Sequence, residues 1–186
     1  MDTPTYSTFA GDRLVASGPL DDVLRRARAH LDRGGGALLF FEDLSGRQVD
    51  FDLRGTADEV VARATAPARP GPGRPRLGVV SREVTLLPQH WEWLEAQPNG
   101  ISAALRRLID AARRRAPEEE RSRRAKEAAS RFLTAMAGDR PGYEEASRAL
   151  FASDGERFAR LIQRWPRDVR QHALRLAAPA FESALR

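Results

Sequence analysis

The sequence predicts an α+β protein, and three observations carry that reading. Alternating, hairpin-sized stretches are confined to the first third, a block of prolines, glycines and arginines follows residue 65, and helical periodicity runs from there to the end. At 186 residues, with 41% hydrophobic and 31% charged side chains, the chain is long enough for one well-cored domain or two small ones. It has no cysteine, which excludes disulfides, thiolate zinc sites and cysteine nucleophiles. No apolar run approaches the length of a membrane span, and MDTPTYSTFAGDR has neither the basic start nor the apolar core of a signal peptide. The expected location is the cytoplasm, with no membrane partner.

The elements follow in order. Residues 5–17, TYSTFAGDRLVAS, predict a hairpin turning at Gly11 and Asp12, because both residue types tolerate the backbone angles of a tight turn. GPLDDVLRRARAHLDRGGG predicts a helix: Pro19 suits the first turn, Leu20, Val23, Leu24, Ala27 and Leu31 recur at helical spacing, and glycines end it. ALLFFEDLSGRQVDFDL predicts a second hairpin turning at residues 44–46, its return arm placing Val49, Phe51 and Leu53 on one face and Asp50 and Asp52 on the other. GTADEVVARATA predicts a second helix, with Thr56 and Glu59 at capping-box spacing. Residues 18–27 and 55–64 align in register, so the expected N-terminal domain, residues 1–65, is a duplicated hairpin-helix unit with a four-stranded antiparallel sheet and two helices on one face. Four prolines and three glycines make residues 66–78 a linker. Beyond it the pattern predicts a strand-helix-helix element over 79–116 and a helical region over 117–186, with helices near 118–136, 142–152, 154–164 and 167–178.

Charge is divided along the chain. Residues 1–66 carry 8 arginines against 11 acidic residues, a net of −3, whereas residues 67–116 carry 9 arginines against 4, a net of +5. Residues 117–186 hold 14 basic against 11 acidic, a net of +3. A polyanion answers to local potential, so the middle of the chain is where nucleic acid contact is expected.

That middle carries a constellation. In SREVTLLPQHWEWLEAQPNGISAALRRLIDAARRR, Val84, Thr85 and Leu86 favour a strand, Pro88 opens a helix, and Pro98, Asn99 and Gly100 close it. Ser102 is placed to cap a second helix with the apolar stripe Ala104, Leu105, Leu108, Ile109 and Ala112. The order resembles the ribbon-helix-helix family of bacterial DNA-binding proteins. The resemblance implies a homodimer on double-stranded DNA: paired strands in the major groove, with Arg82 and Thr85 facing the bases, and the second helix directed by Ser102 at a phosphate. GRPR at residues 73–76 resembles the core of an AT-hook, with Pro72 where arginine is usual, so Arg74 and Arg76 are expected in the minor groove or on phosphates. Arg113, Arg114 and Arg115 extend the basic surface past the second helix.

FAGDRLVASG, GRPRLGVVSREVTLLPQHWEWL and RFLTAMAGDRPGYEEASRALFASDGERF together resemble an uncharacterised bacterial domain family, number 2239, over essentially the whole chain. That resemblance implies a bacterial protein of this architecture and supplies no site residues. An enzyme is not expected: His30, His90 and His172 lie in three segments without ligand spacing and read as helix-surface or boundary residues, and the chain has no phosphate loop, dinucleotide fingerprint or nucleophile elbow. No metal or cofactor is implied. The expected function is DNA binding in transcription regulation or nucleoid association. The alternative is a protein-protein adaptor without nucleic acid contact, using the C-terminal helices.

Overall fold

The computed structural model describes residues 4–66, 82–115 and 117–182, with the backbone alone at 113–115. It is α+β, with four strands and eight helices among the described residues. The chain divides into two compact units, one formed by Met1–Ala66 with Glu118–Arg186 and the other by Pro67–Pro117. The linker predicted over 66–78 lies, apart from Ala66, outside the described residues.

In the first unit, β1 (Thr5–Ala10) and β2 (Arg13–Pro19) form the predicted hairpin around Gly11, whose φ of 54° is open to glycine without strain. The chain passes directly into α1 (Leu20–Asp32), which carries Asp21 and Asp22 in its first turn where the helix dipole favours negative charge. β3 (Leu39–Glu42) and β4 (Arg47–Val49) make the second hairpin, and α2 (Ala57–Thr65) follows with the Thr56 and Glu59 capping box formed in both directions. The two helices begin at equivalent places in the aligned repeats, Leu20 and Ala57. The hairpins differ in length, the second being the shorter. β4 stops at Val49, because Asp52 turns back to accept from the Arg54 backbone N–H at 3.1 Å, and Arg63 reaches the carbonyls of Asp52 and Arg54. Phe51 and Leu53 still pack beside Val49 on the helix face, so the alternation predicts the right face and overextends the strand.

The sheet has the antiparallel order β2-β1-β3-β4, with the first strand of each hairpin at the centre. One face, through Ala16 and Phe40, packs on Val23, Leu24 and Ala27 of α1 and Val60 of α2. The other face, through Phe9 and Phe41, is covered by α5 (Pro117–Ala137), α6 (Tyr143–Phe151), α7 (Gly155–Leu161) and α8 (Arg167–Glu182). Strand β2 serves both cores because its pairing slips between Thr8 and Phe9: Thr8 faces Ala16 and Phe9 faces Leu14, leaving Val15 as a bulge. Leu14 therefore packs with the C-terminal helices while Ala16 packs with α1.

The β3–β4 turn sits directly on the α5 backbone. Gly46 has φ 65°, a Cβ there would lie 2.0 Å from the Ala128 carbonyl oxygen, and Arg131 Nη1 donates to the Ser45 carbonyl at 2.7 Å. Gly46→Ala is expected to cost at least about 2 kcal/mol, from the left-handed backbone and from overpacking, read by urea unfolding at unchanged slope. A loss below about 0.5 kcal/mol would show that the turn is not seated on α5. Thr56→Ala removes a cap and is expected to cost about 1 kcal/mol in the same assay.

Candidate nucleic-acid interface

All eight residues that the sequence marks for nucleic acid lie in the second unit, Pro67–Pro117. Residues 82–87 run as irregular backbone into α3 (Pro88–Glu95), which Leu87 caps in extended conformation with Pro88 at the first position. Asn99 and Gly100, at φ 67° and 80°, reverse the chain into α4 (Ile101–Arg115). The Gly100 carbonyl accepts the first bond of that helix from the Ala104 N–H at 3.1 Å. The predicted strand over Val84, Thr85 and Leu86 is not formed: among the described residues these have no ladder partner, and a strand exists only where a second strand takes its backbone groups.

Arg82, Thr85 and Ser102 are exposed. Ser102 stands in the first turn of α4 and not before it, so the cap expected there falls at Gly100. In extended chain Arg82 and Thr85 point to opposite sides, so one register cannot present both to the same surface. Arg74 and Arg76 lie outside the described residues, and Arg113, Arg114 and Arg115 end α4 with side chains outside the described set. Arg107, which no sequence motif marks, donates from Nη2 to Gln97 Oε1 at 3.0 Å and ties α4 to the turn before it.

Packing within this unit is thin. Leu94 and Ala104 are its buried apolar residues among those described. The stripe on α4 starts buried at Ala104, but Leu108 and Ile109 are about half exposed, as are Val84, Leu87 and Trp93.

A second polar constellation lies in the first unit, where no sequence motif points to a site. His172 is buried on α8 at 3% exposure, and His30 is buried too, against the Gly35 backbone, so of the surface or boundary places expected for the histidines these two exclude the surface, whereas His90 is exposed. Ser7 donates to Asp43 Oδ1 at 2.8 Å and accepts from Arg175 Nη2 at 3.0 Å, with Ser17 Oγ 3.0 Å away. Arg175 Nη2 also reaches Asp43 Oδ2 at 3.2 Å and His172 Nδ1 at 2.9 Å. The types are those of a serine hydrolase, but Ser7 is buried and hydrogen-bonds the carboxylate, with no bond to the imidazole, so this geometry ties elements together instead of activating a hydroxyl. A pocket of about 270 Å³ adjoins it, lined by Leu14, Ser17, Asp168, Gln171, His172 and Arg175. Asp168, Gln171, His172 and Arg175 share a face of α8 at helical spacing, and only the fold brings Ser7, Ser17 and Asp43 to them.

Asp50 and Asp52 form no paired site. Arg54 and Arg63 clamp Asp52, and the hydrogen bonds from Arg54 hold its carboxyl well below the usual carboxylate range. Among the described residues no three His, Cys, Asp or Glu side chains gather as a metal site, and no helix is long and apolar enough to cross a membrane.

A sequence profile of one protein family matches residues 5–177. No curated protein and no solved structure matches the chain.

A Cβ at Gly100 would meet open space, but the backbone there is left-handed, so Gly100→Ala is expected to cost about 1 kcal/mol through strain alone. Hydrogen exchange of α4 amides should speed about fivefold while α5 and α8 amides keep their rates. Unchanged exchange in α4 would mean that the turn does not hold the helix.

Proposed function

The chain belongs to a family of uncharacterised proteins conserved in bacteria (DUF2239), and we propose that it acts as a DNA-binding homodimer whose contacts come from the Pro67–Pro117 unit. The observation that carries the reading is a small helix-turn-helix unit of high positive charge in which apolar residues on and beside an irregular segment, without a ladder partner among the described residues, are half exposed. Two copies of residues 82–87, paired antiparallel, would satisfy each other's backbone groups and let Leu108 and Ile109 of both chains bury together. Leu86 is the least exposed of residues 82–87, which turns Thr85 to the opposite side as the base-edge contact. Arg82 shares the parity of Leu86 and serves a phosphate at the ribbon's edge. Ser102, in the first turn of α4, adds a hydroxyl to the backbone N–H groups that a helix start offers to phosphate. Arg74, Arg76, Arg113, Arg114 and Arg115 supply the counter-charge. Transcription regulation and nucleoid association are the two roles this chemistry serves.

Duplex DNA binding by the full chain, measured across a salt series, tests the proposal. Affinity is expected to fall steeply with salt, and Arg74→Ala, Arg76→Ala or Arg82→Ala should each lower the log-log slope by about 0.9. Thr85→Ala should change preference among sequences more than it changes the slope. Absence of binding at low salt would overturn the proposal in favour of a protein-protein adaptor.

A further inference from the structure

We propose that Arg175, His172 and Asp43 form an acid-operated latch between α8 and the sheet, in which proton uptake at His172 Nδ1 drives Arg175 out to solvent and opens the pocket beside β2. The Arg175 guanidinium has no lone pair to give, so a 2.9 Å approach of Nη2 to Nδ1 requires Nδ1 to accept. The ring proton therefore sits on Nε2, which has no hydrogen bond and lies 3.7 Å from Asp43 Oδ1. A second proton has one place to go, Nδ1. There it abolishes the bond from Arg175 and sets two cations against each other. Arg175 can leave, since its side chain is 49% exposed, while His172, at 2%, cannot. Asp43, 9% exposed and left without Arg175, then becomes the counter-ion of the imidazolium.

The surroundings decide the direction of the response. Asp43 faces the ring from the β3–β4 turn, Arg175 from α8, and Asp168 lines the same pocket from α8 with Oδ2 accepting from the Leu14 N–H at 2.9 Å. β1 and α5 present uncharged groups to the ring, the Phe9 and Phe132 side chains with centroids 5.3 and 4.4 Å away. Burial first, and the Arg175 charge second, push the His172 pKa down from 6.5 to about 4, against the pull of Asp43. Because the folded value lies below the unfolded one, the neutral latch stabilises the fold fully above pH 6.5, and that stabilisation is lost as pH falls toward 4. The described polar contacts of Arg175 run to Ser7, Asp43 and His172, and Arg175 lines the pocket with His172, so its release unties α8 from the sheet and removes a lining side chain from that pocket.

Imidazole ¹⁵N NMR of the full chain from pH 7 to 3.5 tests the latch. At pH 7 His172 is expected to carry its proton on Nε2 and to titrate near pH 4, pushed down by burial and by Arg175. Arg175→Met should raise that titration by about one unit and Asp43→Asn should lower it. Rotation of the Arg175 guanidinium should become free across the same pH step while methyl signals of the core stay native. A proton on Nδ1 at pH 7, a titration unmoved in Arg175→Met, or global unfolding with no preceding change at Arg175 would each overturn the proposal. The tautomer is read on the unaltered protein, so a variant that fails to fold does not remove the test.

Discussion

The rings of Phe9, Phe41, Phe132 and His172 meet on one face of the sheet, and the first unit depends on that contact. Phe132 stands 5.5 Å from Phe9, 5.1 Å from Phe41 and 4.4 Å from His172, joining both central strands to α5 and α8. Tilted and edge-on contacts of this kind contribute about 1 kcal/mol each beyond the area they bury. Their position matters more than their sum. An antiparallel sheet can leave one face to water, and here both faces are covered, so the strands of the N-terminal repeat have a second core only because α5 to α8 are present. The Val15 bulge belongs to the same constraint, since it lets an edge strand place Leu14 in one core and Ala16 in the other.

Polar groups at that junction are placed where apolar packing stops. Asp43, Ser7 and Arg175 close the border of the core with charge-assisted bonds, and Asp168 accepts from the Leu14 N–H on the edge strand. A carboxylate aimed at an edge strand blocks further strand pairing there. The cost of this arrangement is a buried imidazole with one nitrogen unsatisfied, a group expensive to leave without a partner and sensitive to its protonation state.

The sequence made local structure legible and long-range structure not. Gly11, Thr56 with Glu59, Pro88 and the helical stripes mark where elements start and stop, and those signals act within a few residues of themselves. The repeat alignment finds the common start of α1 and α2 but not the early end of β4, because the turn at Asp52 depends on Arg54 and on Arg63 in the last turn of the next helix. The second face of the sheet was hidden for a related reason. Phe41 and Phe9 alternate with residues facing α1 and α2, and nothing local says that the alternate side is also buried. His172 reads as an ordinary helix position until Asp43 and Phe132 are brought to it by the fold. In the second unit the strand expected at Val84, Thr85 and Leu86 finds no ladder partner among the described residues, and the proposed dimer would supply one from a second copy.

The two units thus differ in kind. The first closes two cores within one chain, while the second, among its described residues, buries Leu94 and Ala104 and leaves several apolar side chains half exposed, which is the ground of the proposed dimer. Sedimentation equilibrium of the full chain, alone and as the Trp93→Glu, Ile109→Glu double variant, tests that difference most directly. A dimer at micromolar concentration for the natural chain, and a monomer with the same first-unit unfolding for the variant, is the predicted result. A natural chain that sediments as a monomer throughout, or a variant that stays dimeric, would contradict it.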